Sequence, residues 1–537
     1  MITMKHIFKK SVLSVCALFL LNGFFASCND WLDVLPNNEQ VTDNYWQSKE
    51  DVESVIASGY YYLRQCVPTI IKWGELRGGA IYSSNNSESR LQDFNMTPSH
   101  SLCNWSDIYK VIGMANSVIL YAPTVEDDTY YDAMRNAHLA EAYFLRAYCY
   151  LLLVKNYKEV PLITAAYVDD SETFDVAKSS EDAISAQIKS DVRTALATGA
   201  AKGTYEVDWQ TKGRATKWAL YALMADVCLW SEDYDQCIQY ADMVLNATDT
   251  FRPAFMSNTT DWYTMFYPGN SNESIFEINW DYASNQETNN FSSLFTLSTS
   301  SPLKPTMVAT ELMKTETQAL KDKGFSDAEG RMGRMLLATY VPDNGIASNW
   351  ATSNQFLLWK YYGNDIPDIT GGARANGGFQ DANFIIYRVA EVMLMKAQAL
   401  VMKGAANWLD AVRLINRIRL RAGLDNYNGI DTDAADAAVQ VQQLDELTLL
   451  EEVLEQKELE FMGEAKRWYD VLWLGRVAGG KYKTEFINTV IEGNQTTNQQ
   501  WILSVLQDPW SWYMPVPQSD IEHNKQLTQN PYYGSSK

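Results

Sequence analysis

Residues 215–245 read ATKWALYALMADVCLWSEDYDQCIQYADMVL. Two stretches with helical apolar spacing flank a tight turn at Glu232-Asp233-Tyr234. Small residues, Ala225 in the first stretch and Cys237 in the second, fall where two antiparallel helices would cross closely. That combination is the pattern of a tetratricopeptide-type (TPR) unit. A second copy spans 388–423, RVAEVMLMKAQALVMKGAANWLDAVRLINRIRLRAG. Here Ala397 is the small residue, Gly404 ends the first helix, and Ala411 to Arg421 forms the second. Tyr143–Tyr157 and Leu444–Leu474 read as packing partners. A helical pair cannot bury its apolar face alone, so several must stack. The fold class predicted is mainly α: TPR-like helical pairs forming a scaffold.

Working outward, helical patterns run over Asp51–Leu63, Trp105–Leu120 and Tyr130–Asn156. In the last, Ala137, Ala140, Phe144, Ala147 and Leu151 recur at steps of three and four and make one apolar stripe. The stretch 251–378 differs. It is rich in Asn, Ser, Thr, Gly and aromatics, and Ser274–Trp280 alternates in part, as a strand does. Leu336–Val341 and Phe356–Tyr362 are further strand candidates. Gly371-Gly372 and Gly377-Gly378 mark a loop before the second repeat. The expected organisation is therefore an N-terminal helical part over 28–250, a loop-rich insert with short β-strands over 251–378, and a C-terminal helical part over 379–537.

Residues 1–27 read as a signal peptide. Lys5, Lys9 and Lys10 precede an apolar run from Val12 to Phe25, too short to be a comfortable membrane span. The run ends in Phe25-Ala26-Ser27-Cys28, which looks like a bacterial lipobox. Cys28 is the expected lipidation site and the expected new N-terminus, so the membrane is engaged through lipid.

Composition narrows the function. Among 537 residues the net charge is −22, which argues against nucleic acid, because phosphate recognition needs clustered Lys and Arg. Beyond Cys16 and Cys28, the cysteines are Cys66, Cys103, Cys149, Cys228 and Cys237. They are scattered in apolar context and read as buried thiols rather than a disulfide framework. The four His are isolated, and neither HExxH nor a CxxC pair occurs, so no metal or cofactor is expected. Neither a G-x-S-x-G elbow nor a P-loop is present. The stretch Asp425–Asp431 does not fit a calcium loop, since Leu424 would take the first ligand position. Glu451, Glu452, Glu455, Glu458 and Glu460 read as a helix face rather than a catalytic pair. Binding, not catalysis, is the reading these residues support.

Six blocks then carry a resemblance. They are Trp105-Ser106-Asp107-Ile108-Tyr109 with Asn116; Phe144-Leu145-Arg146-Ala147-Tyr148 leading to Asn156-Tyr157 and Val160-Pro161-Leu162; Gly213-Arg214-Ala215-Thr216; Tyr387-Arg388-Val389-Ala390-Glu391; Glu455 to Phe461 with Arg467-Trp468-Tyr469-Asp470; and Met514-Pro515-Val516-Pro517 to Asp520-Ile521 with Asn524 and Gln529-Asn530-Pro531. In this order they resemble the SusD/RagB family of outer-membrane nutrient-binding lipoproteins of Bacteroidota. Asp520 stands where Glu is common in the family, and Lys466 where His is usual. The resemblance implies a helical body with a loop-rich binding face, held by lipid on the outer membrane and facing the cell exterior. It implies a SusC-like TonB-dependent porin as partner and a glycan as ligand, for capture and delivery. A peptide or glycopeptide receptor of the same build is the alternative, and a lipid-anchored glycoside hydrolase the third.

Glycans present flat C–H faces edged by hydroxyls, so Trp and Tyr suit the faces and Asn, Asp, Arg and Gln the edges. The stretch from Trp73 to Asn86 reads as a polar aromatic loop and offers Trp73, Arg77, Tyr82, Asn85 and Asn86 as ligand contacts. The central region offers Trp262, Tyr263, Tyr267, Trp280, Tyr282 and Trp350. Trp105, Trp218, Trp468 and Trp473 lie on helix motifs and are expected in the core.

Overall fold

The computed structural model describes residues 45–167, 174–257, 263–266, 268–296, 298, 300–324, 334, 339–340, 351–354, 356–361, 381–494 and 498–534. Packing divides the chain into two units, Met1–Gln47 and Ser48–Lys537, and every element named below lies in the second.

The first helix, α1 (Lys49–Glu75), opens with a capping box in which Ser48 and Asp51 each accept the other's backbone N–H. It continues well beyond the expected Leu63, through Pro68, to Glu75. Burial of Val67, Ile70, Ile71 and Trp73 compensates for the hydrogen bond that Pro68 removes. After strand β1 (Ile81–Ser83) come α2 (Ser106–Tyr121) and α3 (Asp132–Tyr157), packed as an α1–α2–α3 layer. Strands β2 (Val160–Pro161) and β3 (Lys178–Ser179) pair before α4 (Glu181–Ala197). A one-and-a-half-turn helix, α5 (Asp208–Gly213), leads into α6 (Lys217–Trp230) and α7 (Tyr234–Leu245).

The turn between α6 and α7 lies at the expected place. Glu232 takes a positive φ of 59°, and the Asp233 side chain caps α7 by accepting from the Gln236 N–H. Ala225 and Cys237 are both fully buried, as close helix crossing requires. The second pair is α9 (Val389–Met402) and α10 (Trp408–Arg421), joined through Gly404 at φ 93°; α8 (Met307–Asp322) precedes it. Neighbour contacts run from α3 to α4, α6, α7, α9 and α10 without a break, so the pairs stack into one helical row. The chain completes with α11 (Glu446–Phe461), α12 (Arg467–Gly480), α13 (Lys483–Gly493) and α14 (Gln499–Leu506). The mainly helical scaffold with a few short strands is thus as predicted.

The described strands form two-stranded ladders. β1 pairs antiparallel with β5 (Leu303–Pro305), and β4 (Ser274–Ile278) with β8 (Phe384–Arg388). β6 (Thr339–Tyr340) pairs with β7 (Leu357–Leu358). The β4–β8 ladder ties the central stretch to the start of the second helical pair; of β8, the sequence reading covered only Tyr387 and Arg388, as a repeat opening.

The interior is held by an ionic cluster as well as by apolar packing. Arg388, fully buried, donates to Glu273 (3.1 Å), Glu460 (2.6 Å) and Glu464 (2.9 Å). Arg421 also reaches Glu273, at 2.7 Å. Lys360 reaches Glu464, at 2.9 Å. Glu460 thus lies on a buried face of α11, while Glu458 pairs with Arg467. The five described cysteines are buried free thiols.

Candidate functional site

The structure separates the expected ligand contacts into three sets. Trp73 is wholly buried near the end of α1, with its Nε1 donating to the Leu102 carbonyl at 2.8 Å and its ring edge-on to Tyr157. Arg77 is 3% exposed. It donates to the Trp512 carbonyl (3.1 Å) and to Asn156 Oδ1 (2.7 Å) and lies 4.4 Å from the Trp468 ring centroid. Burial pulls its guanidinium down to about 10. Trp280 is 6% exposed and packs on Phe291. These three are corrected to core residues. The reason for the first two is that α1 runs about three turns further than its sequence spacing indicated, so Trp73 lies in a helix instead of a loop and Arg77 follows directly after that helix.

Tyr82, Asn85, Asn86 and Tyr282 form the second set, on or near the surface. Tyr82 is half-buried on β1 opposite Lys304 of β5, whose Nζ lies 5.6 Å from its ring. Asn85 and Asn86 are exposed at the tip beyond β1, and Asn85 Oδ1 accepts from the Ser87 N–H at 2.8 Å. Such an Asx turn fixes a polar tip without a helix or sheet ladder. Tyr282 is half-buried at the start of the short helix Tyr282–Asn285. Of the third set, Trp262, Tyr267 and Trp350 lie outside the described residues, as does the expected lipidation site Cys28, and Tyr263 opens the single 3-10 turn Tyr263–Met265. Trp105, Trp218, Trp468 and Trp473 are core, as expected.

A cleft of about 320 Å³ opens between α1, α5 and the end of β4. Its aromatic rim comprises Tyr61, 54% exposed on α1, and Trp209, 50% exposed on α5. Arg64, Gln210, Asn279 and Glu287 also line it. Arg64 holds Glu287 in a two-pronged pair at 2.9 and 3.1 Å. At the far wall Arg214 grips Glu53 (2.5 Å) and Glu141 (2.7 Å). Burial alone would raise the Glu53 carboxyl, but hydrogen bonds from His138 and Arg214 outweigh it and hold it at about 2.

The short helix bearing Trp209 is fixed in place. Asn279 Nδ2 donates to the Trp209 carbonyl at 3.0 Å, and Lys212 Nζ to the Ser274 carbonyl at 2.6 Å. Gly213 makes this approach possible, since a Cβ there would stand 2.4 Å from Asn279 Nδ2. Tyr61 and Trp209 were missed in the sequence because each sits in a locally ordinary setting, one on a helix and one in a polar connector. The only signal was a Trp within the polar run Glu206-Val207-Asp208-Trp209-Gln210.

A family model described as "SusD family" matches residues 142–533. The chain belongs to the SusD family. A second model, described as "Starch-binding associating with outer membrane", matches residues 30–229. A SusD-like protein of Formosa agariphila is 24% identical over 497 residues, covering 86% of this chain and 91% of its own. A SusD-like protein of Bacteroides ovatus is 24% identical, covering 98% of each. Among solved structures, a SusD superfamily protein of Bacteroides vulgatus superposes with a TM-score of 0.69 at 19% identity, over 91% of this chain and all of that one. A laminarin-binding SusD-like protein gives 0.63 at 18% identity, and surface glycan-binding protein A of Bacteroides uniformis 0.66 at 16%. They cover 91% and 90% of this chain and 100% of their own.

The family's motif residues serve packing here. Arg146 is bound by Asp191 through two contacts (2.6 and 2.8 Å) and by Asn116 (2.8 Å). Asp520, in place of the common Glu, still accepts from Trp105 Nε1. Among the described residues, no helix is long and apolar enough to cross a membrane.

Proposed function

We propose that this chain is a surface-exposed lipoprotein of the outer membrane that captures oligo- or polysaccharide and delivers it to a partner TonB-dependent transporter. The observation that carries the reading is the match of residues 142–533 to the SusD family, with residues 30–229 matching a model described as "Starch-binding associating with outer membrane". Two structural neighbours are named for glycan binding, one of them for laminarin. Physically, the stacked helical pairs supply a rigid frame, and the polar tip with Tyr82, Asn85 and Asn86 presents adaptable hydrogen-bonding groups outside it. Lipidation at Cys28 would hold this frame at the membrane, and a transporter beside it would receive the cargo.

The test is affinity electrophoresis of the mature protein through gels containing single polysaccharides. Retardation by at least one polysaccharide is expected. If none retards it, and peptide density instead fills the space between lipoprotein and transporter in an isolated complex, the peptide-receptor reading replaces this one. Release of sugar products from a retained glycan by the purified protein would make it a hydrolase.

A further inference from the structure

We infer that the cleft between α1, α5 and the end of β4 is a carbohydrate-binding subsite for uncharged sugars, with Tyr61 and Trp209 as its stacking walls and Arg64, Gln210 and Glu287 as its polar edge. The inference rests on the glycan reading above and adds a place and a ligand class to it.

Three features of the cleft point the same way. First, two aromatic side chains from separate elements keep half their surface in water while lining one cleft. Leaving two large rings half uncovered in one cleft forgoes apolar burial, so the paired exposure marks a surface suited to being covered. A planar ring suits the C–H face of a pyranose.

Second, the backbone that carries Trp209 is preorganised. The Trp209 carbonyl is tied to Asn279, and the same short helix is tied to β4 through Lys212. Trp280 underlies Arg64, its ring centroid 5.7 Å from the guanidinium carbon, so the polar edge is also fixed. A wall that is already ordered loses little entropy on binding.

Third, the charge balance selects the ligand. Both guanidinium groups are committed to carboxylates: Arg64 to Glu287, and Arg214 to Glu53 and Glu141. The Glu53 and Glu287 side chains remain 43% and 37% exposed, whereas Arg64 and Arg214 are only 23% and 12% exposed. The face seen by a ligand is therefore acceptor-rich and mildly acidic. Sugar hydroxyls can donate to those carboxylates. A uronate or sulfate would meet them with no uncommitted Lys or Arg among the described lining residues to offset the repulsion.

The experiment uses the full mature chain, labelled and applied to an array of neutral and acidic glycans. Trp209→Ala, Tyr61→Ala and the double variant are compared with Trp501→Ala, which removes a 39%-exposed ring outside this cleft. Thermal melting checks folding, and the half-exposed positions predict little change in Tm. The expected result is binding confined to neutral glycans. Affinity should fall about tenfold or more for each single cleft variant, be abolished in the double variant, and stay unchanged in Trp501→Ala. If folded cleft variants bind as the parent does, the subsite is overturned while the glycan reading stands. If acidic glycans bind as well as neutral ones, the ligand class is overturned. No binding to any glycan removes the glycan reading and this inference together.

Discussion

Glu75 shows what one residue can contribute. At the end of α1 its carboxyl is fully buried and accepts the Ala465 N–H at 2.7 Å. Burial raises it to about 8, against the pull of that hydrogen bond and of Lys360. Its folded value thus exceeds its unfolded value near 4.5. Below the unfolded value both states are protonated and Glu75 is neutral to stability. Between the two values the unfolded chain gives up a proton that the folded chain keeps, so stability falls as pH rises, by at most about 1.4 kcal/mol per pH unit. Above about 8 the penalty is constant. The Glu75→Gln variant keeps the acceptor and removes the titration. Its advantage over the parent in urea denaturation should be small at pH 5, grow through pH 7 and level off near pH 9. An advantage independent of pH would show that Glu75 is ionised in the folded protein.

The same scale explains which candidates could be read in advance. Trp105, Trp218, Trp468 and Trp473 were assigned to the core from their place on helical motifs, because helical spacing states which face is buried. Trp73 and Arg77 were misplaced because side-chain type alone does not distinguish a ligand contact from a buried polar anchor. Arg77 finds its partners at Asn156 and Trp512, far away in the chain.

At the scale of elements, the decisive contact is between α1 and the loop after α11. A Cβ on Gly74 would stand 2.1 Å from the Ala465 carbonyl oxygen, a backbone atom that cannot rotate aside. Gly74→Ala is therefore expected to push α1 away from that loop and to disturb the Glu75–Ala465 hydrogen bond beside it. A loss of about 1–3 kcal/mol follows by the usual cost of overpacking. Denaturant midpoints with an unchanged m-value would check it, and a midpoint equal to the parent's would mean that the helix accommodates the methyl freely. The helical pairs themselves were legible, since the small residues Ala225, Cys237 and Ala397 mark their crossings. The β4–β8 ladder was only half legible: β4 alternates in part, but Phe384–Arg388 is apolar on both faces and reads equally as the start of a helix.

For the whole molecule, the proposal that matters is attachment. Retention at the membrane would depend on acyl chains at Cys28. Cys28→Ala is expected to abolish incorporation of labelled fatty acid and to move the protein from the membrane fraction to the soluble fraction of the cells, with glycan binding by the purified body unchanged. Continued membrane retention of the unlabelled variant would assign the attachment to something other than lipid.

The sequence by itself determined the class of this protein. Helical periodicity, small residues at crossings and a chain-long order of motif blocks identified the scaffold and the family, because these are local or ordered features that need no folding to be seen. Tertiary structure decided the surface. Whether a Trp is a wall of a cleft or a brick of the core depends on what the rest of the chain brings against it. Trp73 is covered by segments around Leu102 and Tyr157, while Trp209 is held by Asn279 and left open to water. Those partners lie tens of residues away in sequence, and only packing determines which ring they cover.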